Sequence, residues 1–281
     1  MGVASDELVA DACAIFGADD LGPIGAVGGQ KAVRLIEHAG VSRVLKVIAV
    51  TASSPTMLTR VDREVQLLKS LNNAHIVQVT SDLVTIGTPV RGAAWTEELL
   101  DGSDLTPLLG PQWSWAAAWR MLHDVADGLG AAHAAGVVHR DLSSNNVRRL
   151  DSGDYKVLDF SFARHTLRSG VTQAGQPGTL NFLSPEHLNA YSGVPMPASD
   201  VFCLGILAYT ALTGTNPIPF AGDEEEYFRR LQHAQLVADI ADVRPDLRSD
   251  QHDLLRRMLH AQPARRYLNG SRLALALEGV A

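Results

Sequence analysis

Residues 137–161, V-V-H-R-D-L-S-S-N-N-V-R-R-L-D-S-G-D-Y-K-V-L-D-F-S, constrain this chain more than any other stretch. Two short β-rich runs, 147–150 and 155–158, flank the turn-forming cluster Asp151-Ser152-Gly153-Asp154, and that pattern predicts a β-hairpin. In an antiparallel pair the residue entering the first strand stands beside the residue leaving the second, so Asn146 and Asp159 are expected to face each other within roughly 5 Å. Asp141, just upstream, adds a carboxylate that can act on a proton rather than on a metal. Oxygen donors without Cys or His favour a hard cation such as Mg²⁺.

Composition removes several alternatives. A net charge of −7 argues against nucleic acid or an anionic membrane as the main partner. Cys13 and Cys203 are far apart, so a disulfide framework is not expected and a cytoplasmic setting is the default. No apolar run approaches the ~18 residues of a membrane span, and no signal peptide is expected. The chain starts Met1-Gly2, but Asp6 stands where a myristoylation signal wants Ser or Thr. A chain of 281 residues can bury a substantial core as one large domain or two lobes.

The first third reads as a helix, then strands, then a helix. Leu8, Val9, Ala12, Ile15 and Phe16 recur at helical spacing over 6–16. The glycine-rich segment Ile24-Gly25-Ala26-Val27-Gly28-Gly29 follows as a turn between strands. Residues 41–50 are β-branched and apolar apart from Arg43 and Lys46, and a strand there puts Val44, Lys46 and Ile48 on one face. Pro55 signals a helix start, after which Leu58, Val61, Val65 and Leu68 trace an apolar stripe. Glu64 lies along that stripe, where a carboxylate needs a partner, and Lys46 is the expected one.

His139-Arg140-Asp141-Leu142-Ser143-Ser144-Asn145-Asn146 resembles the protein-kinase catalytic loop H-R-D-L-x-x-x-N, and Asp159-Phe160-Ser161 resembles its D-F-G. Arg43-Val44-Leu45-Lys46 is similar to V-A-I-K, and Gly178-Thr179-Leu180-Asn181-Phe182-Leu183-Ser184-Pro185-Glu186 to G-T-x-x-Y-x-A-P-E. That last segment separates the chain from aminoglycoside-type phosphotransferases, which lack it. The chain thus resembles Hanks-type serine/threonine protein kinases, with alanine-rich, compact loops like the bacterial ones.

The resemblance implies an α+β, bilobal fold: a small antiparallel β-sheet lobe with one key helix, and a larger, mostly α-helical lobe. A helical extension would span 1–16, the first lobe 17–98 and the second 99–281. It implies ATP and Mg²⁺ or Mn²⁺ as cofactors, with Asn146 and Asp159 on the metal and Lys46 on the α- and β-phosphates. Glu64 would fix Lys46, and Asp141 would accept or orient the acceptor hydroxyl. Ile24, Gly25, Gly28, Gly29 and Val44 would cover the nucleotide, and Glu98 would meet the adenine, with Glu97 an unusual polar neighbour. Arg140 would receive a phosphate on the activation segment, whose candidate hydroxyls are Thr166, Ser169 and Thr172. Asp200 would bond the catalytic-loop backbone, and Arg266 would pair with Glu186. A protein Ser/Thr substrate or autophosphorylation is implied.

Three departures oppose normal activity. Ser143 replaces the catalytic-loop Lys, a loss on the order of 3 kcal/mol or roughly a hundredfold in rate. Ser161 replaces the Gly of D-F-G, and Val27 and Gln30 stand where the phosphate loop wants glycines. The alternative is a pseudokinase, a nucleotide-sensing or partner-binding scaffold; retention of Lys46, Asp141, Asn146 and Asp159 weighs against it.

Overall fold

The computed structural model describes residues 4–24, 31–50, 55–160, 180–188 and 196–281. The chain divides into two compact units, one comprising Met1–Asn72 and Val77–Asp101, the other Asn73–Ile76 and Gly102–Ala281. The first unit runs a few residues past the boundary expected at 98.

In the first unit, α1 (Asp6–Phe16) starts at Ser5, whose hydroxyl accepts the Leu8 N–H, and stops at Gly17 in left-handed backbone. Strands β1 (Asp19–Pro23), β2 (Lys31–His38), β3 (Val41–Ala49), β4 (Val84–Ile86) and β5 (Gly92–Glu98) form one antiparallel sheet in the order β1-β2-β3-β5-β4. Strand alternation splits β3 between two environments. Leu45 and Val47 join Leu8, Val9, Ala12 and Cys13 of α1 in one apolar cluster, with Ile36, Ile86 and Ala94. Lys46 and Ile48 point to the opposite face.

The helix expected as an extension is therefore part of the core. Its buried stripe is turned from the expected one: Cys13 is buried and Ile15 is 49% exposed. Close approach of α1 depends on Gly92, where a Cβ would stand 2.7 Å from Leu8 Cδ2 and 2.7 Å from the Ile48 carbonyl oxygen. Helix α2 (Pro55–Ser70) buries Val61, Val65 and Leu68, with Glu64 half-buried among them.

The second unit is mainly helical, with a small sheet of β6 (Ser103–Asp104), β7 (Val147–Arg149) and β8 (Tyr155–Val157) in that order. Helix α3 (Trp115–Ala134) is capped by Ser114 and packs against α7 (Gly270–Glu278). The indole N–H groups of Trp115 and Trp119 donate to the carbonyls of Val280 and Leu277. Helix α4 (Pro197–Thr213) is buried almost throughout, and α5 (Glu224–Gln232) and α6 (Ser249–Met258) follow. Residues 73–76 belong here because the Val157 N–H donates to the His75 carbonyl and the Asn73 amide donates to Asp127. At Gly128 of α3 a Cβ would lie 2.6 Å from that same His75 oxygen.

Candidate active site

Hairpin β7–β8 pairs Val147 with Val157, Arg148 with Lys156 and Arg149 with Tyr155. Continuing that register puts Leu158, not Asp159, opposite Asn146, and the Leu158 N–H donates to the Asn146 carbonyl at 2.8 Å. The facing expected from sequence is thus off by one residue, because the turn takes five residues, 150–154, between paired strand ends rather than four. Asp159 follows with φ 61°, left-handed backbone that a non-glycine residue seldom adopts. Phe160 is buried against the His139 ring, with centroids 4.8 Å apart.

The loop that carries Asp141 is held by its backbone. Asp200, wholly buried at the start of α4, accepts the His139 N–H at 2.8 Å and the Arg140 N–H at 2.9 Å, and bonds His133 Nε2 at 2.9 Å. Burial pushes the Asp200 carboxyl up, but the hydrogen bond and charge of His133, with the His139 contacts, outweigh it and leave it below its ordinary value. His139 Nε2 donates to the Leu158 carbonyl at 2.7 Å while Nδ1 accepts the Asp141 N–H, so the proton sits on Nε2. Arg140 takes φ 66°, its carbonyl accepts from His187 Nε2, and its buried Nε has no hydrogen-bond partner among the described residues. The Asn146 amide Nδ2 donates to the Asp141 carbonyl at 2.7 Å, which commits the nitrogen and makes Oδ1 the atom suited to a cation. Ser143 is buried, and its carbonyl accepts the Asn146 N–H.

Glu186 and Arg266 form a two-pronged pair at 2.8 and 2.9 Å, with Ser199 also donating to Glu186. Burial pushes the Glu186 carboxyl up, and Arg266 more than offsets this, so it lies below its ordinary value.

The first unit holds the other predicted residues. Lys46 is buried on β3, directly opposite Trp95 of β5, with half-buried Val44 on the same face. Its Nζ lies 2.6 Å from Glu97 Oε2, and Trp95 Nε1 donates to Glu97 Oε1 at 3.0 Å. The sequence suggests Glu97 near the adenine and not on the lysine, because the register between β3 and β5, which decides the pairing, is a non-local property. The Glu98 N–H donates to the Gln78 carbonyl, and the Gln78 N–H to the Glu98 side chain. Ile24 donates its N–H to the Val33 carbonyl. Gly25, Gly28, Gly29, Ser161, Thr166, Ser169, Thr172, Gly178 and Thr179 lie outside the described residues.

Residues 21–272 match the protein kinase domain. The chain belongs to the protein kinase family. It is 34% identical over 237 residues to the serine/threonine-protein kinase PknL of Mycobacterium tuberculosis, covering 82% of this chain and 56% of that protein. PknA of the same species is 31% identical, covering 82% and 52%, and the serine/threonine-protein kinase drp72 of Corynebacterium efficiens is 27% identical, covering 79% and 42%. The chain spans about half the length of these curated relatives. Protein kinases use ATP with a divalent metal. Among the described residues of this kinase domain, no helix is long and apolar enough to cross a membrane. Among the described residues, no group of three or more His, Cys, Asp or Glu side chains is placed to hold a metal ion.

Two structural contacts escaped sequence reasoning. His187 links the A-P-E-like turn to the catalytic loop by accepting from the Ser184 N–H and donating to the Arg140 carbonyl. Its position directly after Glu186 was the available signal. The Trp95–Glu97–Lys46 chain was signalled by Trp95 and Glu97 standing at period two, hence on one face, in the strand Gly92–Glu98.

Proposed function

We propose that this domain transfers the γ-phosphate of Mg²⁺-ATP to a Ser or Thr hydroxyl of a protein, including its own activation segment. The observation that carries this reading is the catalytic loop, in which Asp141 stands on a backbone fixed by Asp200 and the Asn146 amide nitrogen is turned to the Asp141 carbonyl. Asn146 Oδ1 and the Asp159 carboxylate supply hard oxygen donors, which suit Mg²⁺. Bound there, the cation would neutralise phosphate charge. Asp141 takes or orients the acceptor proton, Lys46 positions the α- and β-phosphates, and Glu64 supports Lys46. Because the Glu98 N–H is committed to Gln78, adenine recognition by that residue goes through its carbonyl. Ile24, Gly25, Gly28, Gly29 and Val44 cover the nucleotide. Arg140, whose Nε has no hydrogen-bond partner among the described residues, suits a phosphate on Thr166, Ser169 or Thr172. The reaction fits the cytoplasm, where ATP is available.

The test is incorporation of labelled γ-phosphate into the chain and a generic acceptor. Transfer by the natural sequence that drops at least about a thousandfold in Asp141→Asn and Asp159→Ala supports the reading. Equal label in all three would overturn it, as would no label under Mg²⁺ or Mn²⁺, and the latter result would leave a partner-binding scaffold.

A further inference from the structure

The register of β3 and β5 sets Lys46 opposite Trp95 and Val44 opposite Glu97, so Lys46, Trp95 and Glu97 share one face with Glu97 diagonal to the lysine. Both oxygens of the Glu97 carboxylate are engaged, Oε1 by the Trp95 indole and Oε2 by the Lys46 ammonium. The carboxylate cannot rotate without losing one of them. The Lys46 and Glu97 side chains are only 6% and 5% exposed, and buried charge is retained where it is paired. An ammonium has three donors, so a bond to Glu97 and one to a phosphate oxygen are compatible. A carboxylate on the neighbouring strand is tied to Lys46 by the sheet register, whereas one on helix α2 is placed by the packing of that helix.

We propose that Glu97 is a positioning residue for Lys46, fixing the amine from within the sheet so that its place does not depend on Glu64 alone. The consequence for catalysis rests on Lys46 being the phosphate contact. Competitive acylation of the full chain with acetic anhydride reads the lysine directly, with Lys156 as internal reference and no nucleotide present. Glu97→Gln is expected to raise Lys46 labelling roughly tenfold, because Gln presents an amide to one of two donors; Glu97→Asp should restore most of the protection. Glu64→Gln leaves the Glu97 carboxylate in place and should change labelling less than Glu97→Gln does. In phosphate transfer, Glu97→Gln should lower kcat/KM for ATP roughly tenfold, mainly through KM for ATP, with KM for the acceptor unchanged.

Lys46 labelling within twofold of the natural sequence in Glu97→Gln, or a larger effect from Glu64→Gln, overturns the proposal. If Glu97→Gln does not fold, Trp95→Phe removes the indole bond together with part of a buried ring; labelling should still rise about threefold while Glu97→Asp stays protected, and no change there is equally fatal. Labelling that shifts as expected in a chain that transfers no phosphate supports the placement of Lys46 while refuting the kinase reading. Transfer by the natural sequence with unchanged labelling and KM in Glu97→Gln does the reverse.

Discussion

Asp200 and Lys46 are both buried charges at the heart of their own units, and they are held in different ways. Asp200 accepts from two consecutive backbone N–H groups and a histidine brought from α3, so it fixes a stretch of chain. Lys46 is placed by strand register and meets a side chain, Glu97, that is itself steered by another side chain. One arrangement determines backbone and thereby the position of Asp141. The other determines only where an amine points. A backbone anchor should be costly to remove and indifferent to conservative swaps nearby, while a side-chain chain should be tunable.

Asp200→Ala is the most severe way to break the contrast. It leaves the His139 and Arg140 N–H groups and His133 without their buried acceptor, and should cost about 3–5 kcal/mol of stability in denaturant unfolding. Transfer activity should fall with it, since Arg140 is held at φ 66° partly by this carboxylate. A loss under about 1 kcal/mol would show that the loop is held from elsewhere.

Arg266→Ala removes the wholly buried partner of Glu186 and should cost nearly as much, about 3 kcal/mol. Acid provides a second handle. Glu186 and Asp200 both lie below their ordinary values when folded, so the stability each contributes is complete above the unfolded values of 4.5 and 3.8 and is lost as pH falls through the lower folded ones. Melting temperature should therefore drop below about pH 4.5, and Glu186→Gln should flatten the upper part of that decline.

The second unit was the more legible of the two in sequence, and the reason is physical. Its motifs are contiguous: the H-R-D run, the D-F-S tripeptide and the acid opening α4 each declare a local geometry. Arg266–Glu186 and Asp200 with the loop backbone followed from the resemblance and stand in the structure. Pairing across strands is less legible, because a one-residue difference in turn length changes every partner. That is why Leu158 rather than Asp159 faces Asn146, and across β3 and β5, which no tight turn joins, the sequence carries still less sign of the register that brings Glu97 to Lys46. Helix α1 was visible by its period, but the sheet face that it covers was not, since the apolar residues of β3 alternate with equal strength on both sides.

That covering can be tested by Gly92→Ala, whose added methyl meets Leu8 and the Ile48 carbonyl. The strand backbone cannot retreat without disturbing β3, so about 1–3 kcal/mol should be lost. Hydrogen exchange should rise in α1 and β5 before the second unit responds.

Arg91→Ala is the mild counterpart at the same helix. Arg91 pairs with Glu7 at 3.0 Å and with Asp11, yet all three side chains are at least 42% exposed, where solvent screens charge and long side chains lose entropy on pairing. Melting temperature should hardly move, and less still at high salt. If Arg91→Ala instead released α1 as strongly as Gly92→Ala, the helix would be held by charge at its rim rather than by Leu8, Val9 and Ala12 in the core. The apolar cluster argues against that, because those residues lose contact with Leu45 and Val47 only if the whole helix lifts.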